Sequence, residues 1–85
     1  MEQEIDQQQL WRLLKGPQFE RERHGGLYDR GRADSYYHRS RSPHWWPAGT
    51  GNGTKIQDLT AEERAEYNAG YDYNEEYGDK KNWGD

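Results

Sequence analysis

The 85-residue chain has no cysteine and no valine, and it holds only five leucines, two isoleucines and one methionine. Without cysteine there are no disulfides and no thiolate metal sites, and nothing points to an oxidising compartment. No apolar run approaches the ~18–20 residues that cross a bilayer. The opening "MEQEIDQQQL" is acidic and amide-rich, unlike a signal peptide. These absences predict a soluble cytoplasmic protein with no membrane partner. Histidine is scarce too. His24, His38 and His44 include no pair at the i, i+4 spacing of helical metal ligands, so no metal is expected. Ser35, Ser40 and Ser42 lie in a basic polar run with no nucleophile-elbow context. Gly49-x-Gly51-x-Gly53 lacks the preceding strand, the helix directly after it and the Lys-Ser/Thr order of a phosphate loop. No catalytic residue, cofactor or small-molecule substrate is therefore expected.

What the chain has instead is rings and charge. Four tryptophans, seven tyrosines and one phenylalanine must supply most of the buried area, at about 150–250 Å² each. With 29% hydrophobic and 33% charged residues the composition lies near that of disordered chains; the aromatics argue for a fold. The net charge of −4 is unevenly laid out. Residues 1–56 carry nine Lys/Arg against seven Asp/Glu, and residues 57–85 carry three against nine. Two electrostatically distinct regions follow.

Hydrophobic spacing predicts a mainly α, single small domain of two or three short helices with a long Pro/Gly/Trp-rich loop. The first helix covers 3–15, where Leu10, Leu13 and Leu14 fall at i, i+3, i+4 before Gly16-Pro17. It stands apart as a segment able to dock on a partner. Residues 16–26 read as a linker hinged at Gly25-Gly26. Residues 27–85 form the small helical domain, with helices at 27–39 and 60–76. Thr60 and Glu63 have the capping-box spacing, and Gly78 is a stop. The expected buried stripe of the last helix is Tyr67, Gly70, Tyr71, Asn74 and Tyr77, with Glu62, Glu63, Glu66, Asp72 and Glu75 or Glu76 on its wet faces. Between the helices, Pro43, Pro47 and three glycines interrupt any regular element around Trp45 and Trp46.

Tyr28-x-x-Gly31 is echoed by Tyr67-x-x-Gly70. Residues three apart share a helix face, so each tyrosine sits beside a notch. Two such helices can cross closely, each ring covering the other's glycine.

Trp, Tyr and Arg are the residues most enriched at interface hot spots, so the expected function is non-enzymatic protein binding. The candidate contacts are Arg30, Arg32, Trp45, Trp46, Glu63, Glu66 and Glu76. The alternative is nucleic-acid binding, with guanidiniums on phosphates and rings stacked on bases. It would act through Arg30, Arg32, Arg39, Arg41, Tyr36 and Tyr37.

The run Tyr28-Asp29-Arg30-Gly31-x-Ala33-Asp34-x-Tyr36-Tyr37, then Pro43-His44, Leu59-Thr60, Tyr67, Gly70-Tyr71, Gly78-Asp79-x-Lys81 and Trp83, resembles a pattern carried by small phage and prophage accessory proteins. That likeness implies a phage-encoded inhibitor or accessory protein acting on a host protein or complex in the host cytoplasm. In Tyr28, Gly31, Pro43, Gly70 and Tyr71 the chain is also distantly similar to ribosome modulation factor. This second likeness implies a two-helix unit that binds RNA on the ribosome. The present chain is less basic than that family and its linking loop is longer.

Overall fold

The computed structural model describes residues 16–82. The expected helix at 3–15 and the tail anchor Trp83 lie outside them. The described residues contain a 3₁₀ turn at Pro17–Phe19, helix α1 at Leu27–Tyr36 and helix α2 at Ala61–Tyr77. They contain no strand, only one isolated antiparallel bridge between Trp45 and Ile56. The fold is mainly α, and the two helices pack directly on each other.

α2 starts where its capping box places it. The Thr60 hydroxyl accepts from the Glu63 amide at 3.1 Å, and the Glu63 carboxylate accepts from the Thr60 amide at 2.8 Å. Two orphan donors of the first turn are thereby satisfied. Thr60→Ala is expected to lower stability by about 1 kcal/mol, read as a shift of the denaturant midpoint. The helix ends at Gly78, whose amide donates to the Asn74 carbonyl.

α1 is three residues shorter than its pattern predicts. His38 adopts φ 61, and the amides of His38 and Arg39 donate back to the carbonyls of Ser35 and Asp34 at 3.0 and 2.8 Å. That is a left-handed helix cap in which histidine occupies glycine's usual place. Hydropathy spacing is blind to such a stop. His38→Gly relieves the Cβ strain there, and is expected to raise the melting temperature despite the loss of the imidazole's 2.9 Å contact with the Lys81 carbonyl.

The helices meet backbone to backbone at their glycines. A Cβ on Gly31 would lie 2.0 Å from the Tyr67 carbonyl oxygen, and one on Gly70 would lie 2.2 Å from that of Tyr28. The close crossing expected from the repeated Tyr-x-x-Gly is there, but main-chain atoms fill the notches and the rings turn elsewhere. Tyr67 is wholly buried, and Tyr28 meets Tyr73 in a tilted contact with centroids 6.3 Å apart.

Around this contact a small apolar core gathers Phe19, Leu27, Leu59 and Tyr67, with Trp45, Ile56 and Tyr71 packed against it. Within residues 16–26, Phe19 belongs to this core. The 3₁₀ turn brings its ring into the core, and Gly25 and Gly26 are buried. Trp45 and Ile56 exchange both backbone hydrogen bonds, at 3.0 and 2.9 Å, and pin the ends of the intervening segment to the core.

Two assignments on α2 are corrected. Tyr77 is 69% exposed, its ring set beside that of Tyr73 at 5.2 Å. Glu66 is 3% exposed rather than on a wet face. Its carboxylate accepts two hydrogen bonds from Arg21, at 2.8 and 3.1 Å, a bidentate pair that satisfies a buried charge.

Candidate functional site

The crossing at Gly31 divides α1 into two working sides. At about 100° per residue, positions two apart lie roughly 200° round the helix. Arg30 and Asp34 therefore face one side, and Tyr28 and Arg32 face another.

On the first side residues 40–56 fold over the helices and enclose a polar network. Asp34, 3% exposed, accepts a hydrogen bond from the Tyr67 hydroxyl. That hydroxyl in turn accepts from the Ser42 amide at 3.0 Å. His44, also 3% exposed, lies 2.6 Å by Nδ1 from the Ser42 carbonyl and 3.2 Å by Nε2 from Arg30 Nε. Since Arg30 can only donate, Nε2 accepts and Nδ1 carries the proton. Burial pushes Tyr67 above its usual phenolic range, and the bond to Asp34 adds to the effect.

His44 is a neutral buried imidazole. Burial lowers its pKa from 6.5, and Arg30 and Lys55 act in the same direction against the Ser42 carbonyl and Asp34. A pKa below the unfolded value means that the unfolded chain binds the extra proton first. The stability tied to His44 is complete above about pH 6.5 and is lost as the pH falls below it. Melting temperature is expected to drop on going from neutral pH toward pH 5, above the range where Glu63 and Glu75 titrate. His44→Gln should flatten that slope, and a wild-type profile already flat there would contradict the account.

Between this network and solvent lies a cleft of about 380 Å³. Arg30, Arg39, Lys55, Thr50, Ser42 and Trp46 are among its lining residues, with Asp34. Lys55 is exposed at its mouth.

On the second side Arg32, Tyr73 and Tyr77 are exposed. Here Tyr28, Tyr73 and Tyr77 form a run of rings with centroids 6.3 and 5.2 Å apart. Arg21 sits 4.4 Å over Tyr28, and Arg32 sits 5.4 Å over Tyr73. Both are cation–π contacts at half-exposed rings. Next to them a hollow of about 340 Å³ is lined by Arg21, Asp29, Arg32, Tyr36, Tyr37 and Asn74. Tyr36 and Tyr37 meet edge to face at 4.9 Å.

The residues expected to contact a partner are therefore not one surface. Arg30 and Glu66 are buried and engaged inside the fold, Trp45 packs on the core, and Glu63 is occupied as a cap that also accepts from Gln18 at 2.9 Å. Trp46 lines the cleft, Arg32 lies on the open side, and Glu76 is exposed on α2. Of the alternative set, Arg32, Tyr36 and Tyr37 share the open hollow, and Arg30 and Arg39 share the cleft. Arg41 pairs with Asp72, donates to Asn68 at 3.1 Å and covers Tyr71 at 4.4 Å.

Much of α2's negative charge is thus met within the fold: Glu66 by Arg21, Asp72 by Arg41, and Glu75 by Lys80. The bond to Lys80 and a second from Ser35 hold Glu75 below its usual range. Sequence reasoning did not single out Lys55, Thr50 or Tyr73. An isolated lysine in a glycine-rich stretch carries no periodic signal.

No group of His, Asp and Glu suited to a metal is present among the described residues, and no described helix is long and apolar enough to cross a membrane. Compared with family models, curated proteins and solved structures, the chain matches none.

Proposed function

We propose that the chain is a small non-enzymatic binding protein that modulates another protein through the open Tyr/Arg side of the helix pair. One observation carries this reading. Tyr37, Tyr73 and Tyr77 are 39, 45 and 69% exposed, with Arg32 over Tyr73 and lining the same hollow as Tyr37, in a domain whose apolar material is otherwise committed to a very small core. Tyrosine and arginine give large contact area with few rotatable bonds, which is why they dominate interface energetics. A phage-encoded accessory or inhibitory protein acting on a host complex accords with this reading.

RNA binding is the second reading, favoured by Arg32, Tyr36 and Tyr37 lining one hollow, a guanidinium beside two stackable rings. The decisive experiment is a pull-down from host lysate, with and without nuclease, using wild type, Arg32→Glu and Tyr73→Ala. Protein capture that survives nuclease and is lost in both variants, with melting unchanged, supports the proposal. Capture abolished by nuclease transfers the role to RNA. Reversal of Arg30 is unsuited to this purpose, because that cation is buried against His44.

A further inference from the structure

We propose that the cleft on the opposite side of α1 is a binding site for a small phosphate monoester bearing a planar ring, a nucleoside monophosphate. Three cations line it, Arg30, Arg39 and Lys55, against one carboxylate, Asp34. The balance of two positive charges matches a monoester dianion. Asp34 shares its charge between the Tyr67 hydroxyl at Oδ2 and, at Oδ1, Arg39 at 3.4 Å and Arg30 at 3.7 Å.

Arg30 is the strongest sign of a ligand. Its side chain is only 10% exposed. Nε donates to His44 at 3.2 Å, and Nη1 reaches Thr50 Oγ1 at 3.4 Å. Nη2 lies 3.7 Å from Asp34 Oδ1, beyond hydrogen-bonding distance. A nearly buried guanidinium is thus hydrogen-bonded only to a neutral imidazole and a hydroxyl, and it meets its one carboxylate, Asp34, as a loose ion pair. A phosphate oxygen in the cleft supplies a charged acceptor, and the fork of an arginine suits it. Ser40, Ser42 and Thr50 border the same space and offer neutral donors.

The cleft is larger than a bare oxyanion requires. Its 380 Å³ falls within the range of about 300–1,000 Å³ typical of small-molecule sites. The half-buried indole of Trp46 forms part of the wall. A planar ring is the group that an indole recognises by stacking. Gly51 contributes to the lining, yet the recognition rests on side chains rather than on a phosphate loop.

The test is isothermal titration of the full chain with adenosine monophosphate, adenosine, inorganic phosphate and a short oligoadenylate lacking a terminal phosphate. Lys55→Glu is the key variant, since Lys55 is exposed at the mouth and its replacement should leave melting unchanged. The monophosphate is expected to bind more tightly than either fragment, and Lys55→Glu should weaken it roughly tenfold or more. Trp46→Leu should reduce the advantage over inorganic phosphate. Equal binding of adenosine and its monophosphate, no binding at millimolar ligand, or an affinity indifferent to Lys55→Glu would each overturn the proposal. Tighter binding of the oligoadenylate would also overturn it, making an RNA strand the occupant. These readouts do not involve Arg32 or Tyr73, so they fail or succeed independently of the protein-binding side.

Discussion

Gly31→Ala is expected to destabilise the domain by about 3 kcal/mol or more, and Gly31→Val to abolish the folded state. The sign is the informative part. Alanine is favoured over glycine inside a helix by ~1 kcal/mol, so in a helix with a free face the substitution would stabilise. Here the new methyl would stand 2.0 Å from the Tyr67 carbonyl oxygen and 2.8 Å from the Tyr71 amide nitrogen. Both obstacles are backbone, and they cannot swing aside as a side chain would. Overpacking costs about 1–3 kcal/mol where neighbours yield, and this contact lies at or beyond the top of that range. For a domain of this size ~3 kcal/mol lowers the melting temperature by roughly 12–24 °C. Gly70→Ala meets the Tyr28 carbonyl at 2.2 Å and should behave alike. Since both substitutions push the same two helices apart, their combined cost should fall short of the sum. Circular dichroism melts of the two single variants and the double variant measure this. A rise in stability for either single alanine would show that the helices do not meet there.

The second large effect is expected at Asp34. Asp34→Ala removes the acceptor of the Tyr67 hydroxyl and the anion facing Arg30 at 3.7 Å and Arg39 at 3.4 Å. Deleting one side of a buried charge pair costs about 3–5 kcal/mol, because the other charge is stranded. Tyr67→Phe deletes only the hydroxyl and leaves the Ser42 amide without its partner. Its cost should be smaller, about 1–3 kcal/mol. The two residues share one hydrogen bond, so the double variant should cost less than both singles together. Urea titrations supply the three values, and full additivity would exclude a functioning Tyr67–Asp34 bond. Amide exchange at Ser42 adds a local readout, since its protection depends on that hydroxyl.

The elements were legible where local chemistry fixes them. Thr60 and Glu63 announce the start of α2 because a capping box is satisfied within four residues, whatever lies around it. The close crossing was legible in Tyr28-x-x-Gly31 and Tyr67-x-x-Gly70, because two interior glycines need a reason for their cost. What was missed needed partners distant in sequence. Phe19 reads as part of a polar linker until Leu27 and Leu59 are seen to need a cover. Glu66 reads as a solvated acid until Arg21 is brought to it across 45 residues. His38 hides a helix stop because left-handed backbone is the habit of glycine.

The order of the residues alone therefore settled that the chain is helical, where α2 begins, and which two glycines let the helices touch. Caps, breakers and notches act over one turn, and their energies depend on near neighbours. Which charges are hidden, which rings stay in water and which cations surround a cleft were decided by the packed chain. Burial and pairing are properties of what the fold brings alongside, and a polar side chain looks the same in the sequence whether it ends beside a counter-ion or beside solvent.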